Sequence, residues 1–369
     1  MKFIKQIEPY FDKQELKSVT RTLKSTFITE GNETKKFEKL VSKKIKAKNV
    51  IALSNWTLGL YSCAKALGFK SGDEIIVPNL TFVSCVTSML MAGLKVKLCE
   101  VNSSNYSLDL AHAKKLLSKK TKAIMIVHLF GECSDIPRIL SFAKKNKLKV
   151  IEDAAQSFGG KFKNRYLGTY GDIGGFSFYG NKTITTGEGG VAVCKSKKYA
   201  DKIKRLKNYG RLTKGSYKHE EIGYNFKFND LAASIGVSQI NKFNTIIKKK
   251  KFIDNFYRKN LKNIKQIKFS KKLRHSNPVY WFTSIQAIKK KKLKIFLKKK
   301  NIETRDFFYP MHLQKCFVNI KEVISEKSFY ENSLKHYKNG LCLPSSANLN
   351  LHQLNYIVKN IKNFYEFRN

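Results

Sequence analysis

The chain has few acidic side chains, no two cysteines at CxxC spacing and no long apolar run. Its 369 residues include 27 Asp and Glu against 72 Lys and Arg, which gives a formal net charge of +45. Hydrophobic residues still make up 42% of the chain and aromatic residues 12%, so the sequence can bury a core and is not of the disordered class. The length predicts one large domain and a smaller one.

The excess of lysine has two interpretations. One is binding to nucleic acid or to an anionic membrane, and the other is a composition bias that places solvated amines on helix faces. The lysines are dispersed, with the densest runs at residues 248–251 and 289–292, and neither zinc-finger spacing nor an RNA-binding aromatic signature accompanies them. The dispersion favours the composition bias and predicts neither a nucleic-acid nor a membrane partner.

The cysteines and the N-terminus indicate a cellular compartment. None of the seven cysteines forms a CxxC pair, which is typical of reduced thiols rather than of a disulfide scaffold or structural zinc. Residues 1–8 lack the apolar core of a signal peptide, and no apolar run approaches the ~20 residues that span a bilayer. From the cysteines and the N-terminus we expect a cytoplasmic protein. The histidines are widely separated, so we expect no metal site.

Short β-rich runs alternate with helical stretches between about residues 49 and 195. The predicted strands cover residues 49–53, 74–78, 95–101, 123–128 and 149–153, and the helices between them cover 57–67, 82–92 and 136–145. This alternation predicts an α/β fold with a mostly parallel central sheet and helices on both faces. Two further strands, at 173–178 and 190–194, leave no room for a helix between them.

The pattern changes after about residue 240, where lysine-rich helical segments surround short strands at 279–287 and 301–309. We expect residues 1–245 to form the large domain and 246–369 a smaller C-terminal α+β domain. Residues 1–25 are expected to pack on the small domain.

One lysine is distinguished from the others by its neighbours. Lys182 follows a predicted strand and precedes the Gly-Glu-Gly-Gly turn at residues 187–190, and Asp153 ends an earlier apolar strand. Ligands of open α/β sheets gather at the carboxyl ends of strands. An amine that can form an imine and a carboxylate that can hold a protonated ring nitrogen suit a pyridoxal phosphate (PLP) site. Taken alone, Asp153 would more often be a helix cap.

A phosphate site needs backbone amides and hydroxyl groups. Residues 54–57 end one predicted strand and open a helix, where free N–H groups favour an anion. Ser177 could add a hydroxyl group, and Phe82 could cover the face of a ring, although a phenylalanine more often lies in a core.

These motifs occur together in a known family. The chain resembles, nearly end to end, the DegT-type family of PLP-dependent nucleotide-sugar aminotransferases, which has the fold type I architecture. The resemblance is carried by residues 27–31 (FITEG), 72–78 (GDEIIVP), 127–131 (VHLFG), 179–190 (YGNKTITTGEGG) and 223–227 (GYNFK). Residues 179–190 and 302–305 (IETR) look like the corresponding segments of one subgroup, the GDP-perosamine synthases.

The resemblance implies a role for each residue of the cofactor site. Lys182 would be the catalytic lysine that carries PLP, and Asp153 would hold the protonated ring nitrogen. Gln156 would hydrogen-bond the ring hydroxyl oxygen, and the backbone amides of Trp56 and Thr57 would bind the phosphate.

Further residues complete the implied site. Ser177 would give its hydroxyl group to the phosphate, and Phe82 would stack on the ring. Asn225 would reach the cofactor phosphate of a neighbouring subunit, which implies a homodimer with shared active sites. Tyr309 and His312 would lie near the sugar nucleotide.

The implied reaction moves an amino group from L-glutamate to C4 of a nucleotide-linked 4-keto-6-deoxy sugar. Some relatives carry histidine in place of the lysine and act as dehydratases, so Lys182 favours transamination. UDP- or dTDP-linked sugars, amination at C3, and a PLP-binding regulator without catalysis stay open as alternatives. Trp56 stands where the family commonly has glycine or another small residue, and we expect its bulky indole to lie over the substrate pocket.

Overall fold

The structure, a computed structural model, describes residues 2–211, 215–326 and 329–366. The helices are α1 (Lys13–Lys24), α2 (Asn32–Ile45), α3 (Trp56–Leu67), α4 (Ser84–Met91), α5 (Leu110–Lys115), α6 (Ile136–Lys145), α7 (Lys197–Leu206), α8 (Asp230–Asn241), α9 (Phe243–Leu261), α10 (Lys290–Lys299), α11 (Glu331–Asn339) and α12 (Leu351–Glu366). Short 3₁₀ turns lie at Leu129–Gly131, Met311–Leu313 and Lys315–Phe317.

The strands of the described residues form three sheets. They are β1 (Asn49–Leu53), β2 (Glu74–Pro78), β3 (Lys95–Cys99), β4 (Thr121–Val127), β5 (Lys149–Asp153), β6 (Lys161–Phe162), β7 (Arg165–Tyr166), β8 (Ile173–Ser177), β9 (Gly190–Cys194), β10 (Ile267–Phe269), β11 (Ser276–Asn277), β12 (Ser284–Ala287), β13 (Arg305–Asp306), β14 (Val323–Ile324) and β15 (Gly340–Cys342).

The largest sheet has the order β1-β9-β8-β5-β4-β2-β3-β14. Its pairs are parallel except those of β9, which runs antiparallel to both β1 and β8. The two faces are covered by different cores: Ile75 and Val77 of β2 belong to one, and Ile76 between them belongs to the other. This alternation confirms the predicted α/β fold with helices on both faces of a mostly parallel sheet.

The C-terminal part carries a second sheet of order β10-β12-β15-β13. Its strands are shorter than the predicted runs at 279–287 and 301–309, because β12 and β13 pair over four and two residues. Helix α9 crosses position 245: Ile246 lies in a large-domain core, whereas Ile253 and Tyr257 lie in the small-domain core. We therefore propose that the division between the two domains falls within this helix.

The N-terminal segment contacts both parts. Ile4 forms a β-bridge with Ile302 and lies in the small-domain core. Helix α1 instead packs on α8, where the hydroxyl groups of Ser18 and Ser238 lie 2.7 Å apart. Within the described part of the chain, no helix combines the length and apolar character required to cross a membrane.

Candidate active site

The loop between β8 and β9 holds Lys182 through main-chain hydrogen bonds. The amide of Lys182 donates to the carbonyl of Tyr179 at 2.9 Å, and the amide of Phe178 donates to the carbonyl of Gly189 at 2.9 Å. Gly187 has a φ of 82°, a left-handed conformation that glycine adopts without strain. The loop therefore fixes the direction in which the lysine side chain leaves the backbone.

The Lys182 side chain enters a cavity beside an indole ring. Its Nζ lies 3.8 Å from the centroid of the Trp281 ring. Burial lowers the pKa of Lys182 to about 7, an effect that Asp153 opposes and that the positive charge of Arg305 reinforces. Because a neutral amine is required for imine formation and for proton abstraction, this environment activates the lysine near neutral pH.

Asp153 ends β5 and faces the same cavity. The residue is 4% exposed, and its carboxylate accepts three hydrogen bonds. Oδ1 accepts from Nε1 of Trp56 at 3.0 Å and from the amide of Ala155 at 2.9 Å, and Oδ2 accepts from Sγ of Cys85 at 3.0 Å. A carboxylate offers about four acceptor positions, so this one keeps capacity for a donor from the cavity.

The neighbouring Glu152 points to the other face of the sheet, as strand alternation predicts. It is fully buried and accepts hydrogen bonds from Nε2 of His128 at 2.9 Å and from the amides of Gly168 and Tyr170, each at 2.6 Å. Burial acts to raise the pKa of Glu152, but His128 and the amides outweigh it and hold the pKa below its usual value. Glu152 anchors a loop and takes no part in the cavity.

The start of α3 offers a cradle for an anion. Asn55 caps the helix and its side chain accepts from the amide of Leu58 at 2.9 Å, which leaves the amides of Trp56 and Thr57 without intrahelical acceptors. A Cβ atom at Gly190 would lie 2.5 Å from the Trp56 nitrogen, so glycine lets β9 approach this helix start. Free amides at the positive end of a helix suit a phosphate group.

Gln156 and Phe82 complete the cofactor side of the cavity. Oε1 of Gln156 accepts from the amide of Phe130 at 2.6 Å, which leaves Nε2 as the end that can donate. Phe82 is 46% exposed, and its ring centroid lies 5.6 Å from that of Phe308. An exposed ring beside a cavity is available to cover a planar ligand.

These residues surround one cavity of about 480 Å³. Seven residues predicted from the sequence line it: Trp56, Thr57, Phe82, Asp153, Gln156, Ser177 and Lys182. Trp281, Arg305 and Phe308 also line the cavity and were not among the predicted site residues. Arg305 belongs to the segment 302–305 that resembles the GDP-perosamine synthases, whereas no local motif marks Trp281.

Three predicted residues do not line this cavity. Asn225 is exposed and forms a β-bridge with Asn208, which lines a separate cavity of about 590 Å³. The Tyr309 ring packs on Tyr337 at 5.1 Å. His312 lies against Asn79, with its amide donating to Oδ1 of Asn79 at 2.9 Å. The proposed contacts of these residues with a partner subunit's cofactor or with the sugar nucleotide stay predictions.

The expectation for the Trp56 indole was wrong. The residue lines the cavity, but its side chain does not lie over it: the residue is 3% exposed, and the indole is buried against Gly59 and Gly175. The indole turns inward because these two glycines leave room for it and because the Asp153 carboxylate accepts its N–H.

The residues fit PLP on three independent counts. The Lys182 amine can bind an aldehyde, the buried Asp153 carboxylate can hold a ring N–H, and the amides at the start of α3 can bind a phosphate. With the α/β fold, this combination defines the class of PLP-dependent transferases.

The comparisons identify the family. The sequence pattern of the DegT/DnrJ/EryC1/StrS aminotransferase family matches residues 9–362, and the chain belongs to this family. It is 36% identical to the GDP-perosamine synthase of Escherichia coli O157:H7 over 99% of both chains, and 34% identical to that of Vibrio cholerae over 97% of this chain and 98% of the other. It is also 31% identical to the dTDP-4-amino-4,6-dideoxy-D-glucose transaminase of Shigella dysenteriae over 91% of each.

Solved structures show the same fold. Helicobacter pylori PseC superimposes with a TM-score of 0.93 at 23% identity, over 99% of this chain and all of the other. The PLP form of Spr1654 from Streptococcus pneumoniae gives 0.93 at 21% identity, over 100% of this chain and 99% of the other. The protein is thus an aminotransferase that depends on PLP, and the alternative of a regulator without catalysis is not favoured.

Proposed function

We propose that the protein transfers an amino group from L-glutamate to C4 of GDP-4-keto-6-deoxymannose and so forms GDP-perosamine. The observation that carries this proposal is the 36% and 34% identity, over nearly the whole chain, to two GDP-perosamine synthases. The 31% identity to a dTDP-sugar transaminase is lower but close, so dTDP- and UDP-linked keto sugars, aminated at C3 or C4, are the second candidates. The predicted cytoplasmic location is part of the proposal.

The cavity residues have complementary tasks in this reaction. When bound, PLP supplies an aldehyde for the exchange of amino groups and a ring that withdraws electrons. In the proposal, Lys182 moves a proton at the substrate carbon, and Asp153 keeps a proton on the ring nitrogen. The pKa of about 7 supports the role of Lys182, because it gives comparable amounts of the base and acid forms at neutral pH.

The remaining contacts orient the ligands. The amides of Trp56 and Thr57 and the hydroxyl group of Ser177 bind the phosphate, and Nε2 of Gln156 donates to the ring hydroxyl oxygen. Arg305, at the cavity wall, supplies a positive charge that suits the carboxylate of the amino donor.

The homodimer is part of the proposal, and exposed apolar side chains support it. Within residues 215–225, Tyr217 is 86% exposed, Ile222 is 82% exposed and Tyr224 is 42% exposed. Such a cluster beside the exposed Asn225 is typical of a protein–protein interface. A partner subunit that covers this segment would bring Asn225 close to the partner's cofactor.

Mixing two variants that the proposal expects to be inactive tests the shared site. Lys182→Ala and Asn225→Ala subunits form hybrid dimers in which one site keeps both native residues, so the mixture should regain up to about a quarter of wild-type activity. Separate sites would leave the mixture as inactive as its components.

The substrate proposal is tested by turnover on GDP-, UDP- and dTDP-linked 4-keto-6-deoxy sugars with L-glutamate. We expect kcat/KM for the GDP-linked sugar to exceed the others by ~10-fold or more, which corresponds to a difference of about 1.4 kcal/mol in transition-state binding. NMR of the product distinguishes C4 from C3 amination, and the Lys182→Ala protein is the blank. Preference for a dTDP- or UDP-linked sugar would contradict the proposal.

A further inference from the structure

The indole of Trp56 is buried and contacts the carboxylate of Asp153. The side chain is 3% exposed, and its Nε1 lies 3.0 Å from Oδ1 of Asp153. The same Oδ1 accepts from the amide of Ala155, and Cys85 donates to Oδ2. Both carboxylate oxygens therefore have protein donors before any ligand enters.

Two glycines provide the space for the indole. A Cβ atom at Gly59, one turn along α3, would lie 2.3 Å from Cε3 of Trp56. A Cβ atom at Gly175 in β8 would lie 2.2 Å from Cη2 and Cζ3 of Trp56, and 2.1 Å from the carbonyl oxygen of Val191. The ring is thus held between helix α3 and strand β8, and its N–H is directed at Asp153.

A donor held in this way fixes the rotation of the Asp153 side chain, because a carboxylate bound at both oxygens cannot turn without breaking a hydrogen bond. The carboxylate is thereby held in one orientation, ready to accept a ring N–H.

We propose that Trp56 is a positioning residue that orients the Asp153 carboxylate through its indole N–H, and that Gly59 and Gly175 provide its socket. This inference rests on the proposed role of Asp153 toward the ring nitrogen of PLP. Trp56 does not react with substrate; it acts through Asp153.

The test removes the N–H while keeping the ring. The first variant is Trp56→Phe, and the second replaces Trp56 with benzothienylalanine, in which sulfur stands for the N–H group at nearly the same volume. We expect the dissociation constant of PLP, measured by titrating dialysed protein, to rise by ~10-fold, the lower end of the contribution of one hydrogen bond to a charged group. The glutamate half-reaction should slow by a similar factor with KM for glutamate little changed.

The control is Tyr257→Phe. The hydroxyl group of Tyr257 is buried in the small-domain core and donates to the carbonyl of Pro344 at 2.9 Å, so this variant also loses one buried hydrogen bond. It should leave the dissociation constant of PLP and the half-reaction rate unchanged.

The Asp153→Asn variant distinguishes a failure of the proposed role of Asp153 from a failure of the proposed role of Trp56. If it binds PLP and reacts as the wild type does, the proposed role of Asp153 is wrong. If it is impaired while the benzothienylalanine protein matches the wild type in PLP affinity and half-reaction rate, the inference about Trp56 is overturned. Should Trp56→Phe fail to fold, the benzothienylalanine protein decides alone, because it preserves the packing.

Discussion

Two buried lysines in this protein share a depressed pKa but occupy different surroundings. Burial lowers the pKa of Lys182 in the cavity and that of Lys250 in α9 to about 7 each, and a nearby aspartate opposes the shift in both cases. The Nζ of Lys250 is 2.6 Å from the carbonyl oxygen of Trp281 and 2.7 Å from that of Ser345. The Nζ of Lys182 faces an aromatic ring and an open cavity.

The difference shows that a perturbed pKa does not identify a catalytic lysine. The two N–H groups of a neutral Lys250 amine satisfy two buried carbonyls, so the amine is a fixed structural donor. Lys182 has space for a ligand in front of its nitrogen and has Asp153 on the same cavity wall. The chemistry of a buried lysine therefore depends on whether a ligand can reach its nitrogen and on the groups beside it. Both lysines contact Trp281: Lys182 faces the indole ring, and Lys250 donates to the main-chain carbonyl.

The largest expected effect separates the two lysines by activity. Lys182→Ala should reduce amino transfer by ~10³-fold or more, because general acid–base catalysis alone contributes 10²–10⁴-fold. Lys250→Met should keep the half-reaction with glutamate within a few-fold of the wild type. A Lys182→Ala protein that retained turnover would contradict the assignment of the site.

The second prediction concerns stability. Lys250→Met leaves two buried carbonyls without a donor, so the free energy of unfolding should fall by about 2 kcal/mol in denaturant titrations at pH 8. Between about pH 7 and the ordinary lysine pKa of 10.5, the unfolded chain binds a proton at Lys250 that the folded chain does not. The wild type should therefore become more stable as the pH rises through this window, and the rise should be smaller in Lys250→Met. Equal slopes for both proteins would argue against a neutral Lys250.

A third prediction alters the surroundings of Lys182 but not the contact of Lys250. Trp281→Leu opens the cavity beside Nζ to water, which should raise the pKa of Lys182 toward its ordinary value. Only the free amine reacts with an aldehyde, so the rate at which apoprotein takes up PLP should have its midpoint near pH 7 in the wild type and higher in the variant. The contact with Lys250 uses the main-chain carbonyl and survives the substitution. An unchanged midpoint would show that the indole does not set the pKa.

The sequence predicted the part of the site that is local in the chain. Lys182 and Asp153 are recognisable because each ends or follows an apolar strand, and the amides at the start of α3 follow from a strand-to-helix junction. Trp281 could not be predicted, because it reaches the cavity only when the chain folds back from about one hundred residues beyond Lys182. The predicted direction of the Trp56 indole was wrong, because the space that Gly59 and Gly175 leave for the ring exists only when helix α3 and strand β8 are packed together.

The smallest expected effect tests the packing of the Trp56 indole against Gly59. Gly59→Ala should destabilise the wild type by ~1 kcal/mol or more, since the new methyl group meets the Trp56 ring at 2.3 Å. In a Trp56→Ala background the same substitution should stabilise the protein by up to about 1 kcal/mol, because alanine is the better helix former. Denaturant midpoints of the four proteins provide the double-mutant cycle. The same sign in both backgrounds would show that the indole does not occupy the proposed socket.

The most direct test of the central claim is chemical trapping of the cofactor. The PLP-loaded protein is reduced with borohydride and digested, and the modified peptide is identified by mass spectrometry. The account predicts a single stable label on Lys182 and none on Lys250, despite their similar pKa values. A label on Lys250 or on any other lysine, with Lys182 unmodified, would contradict it.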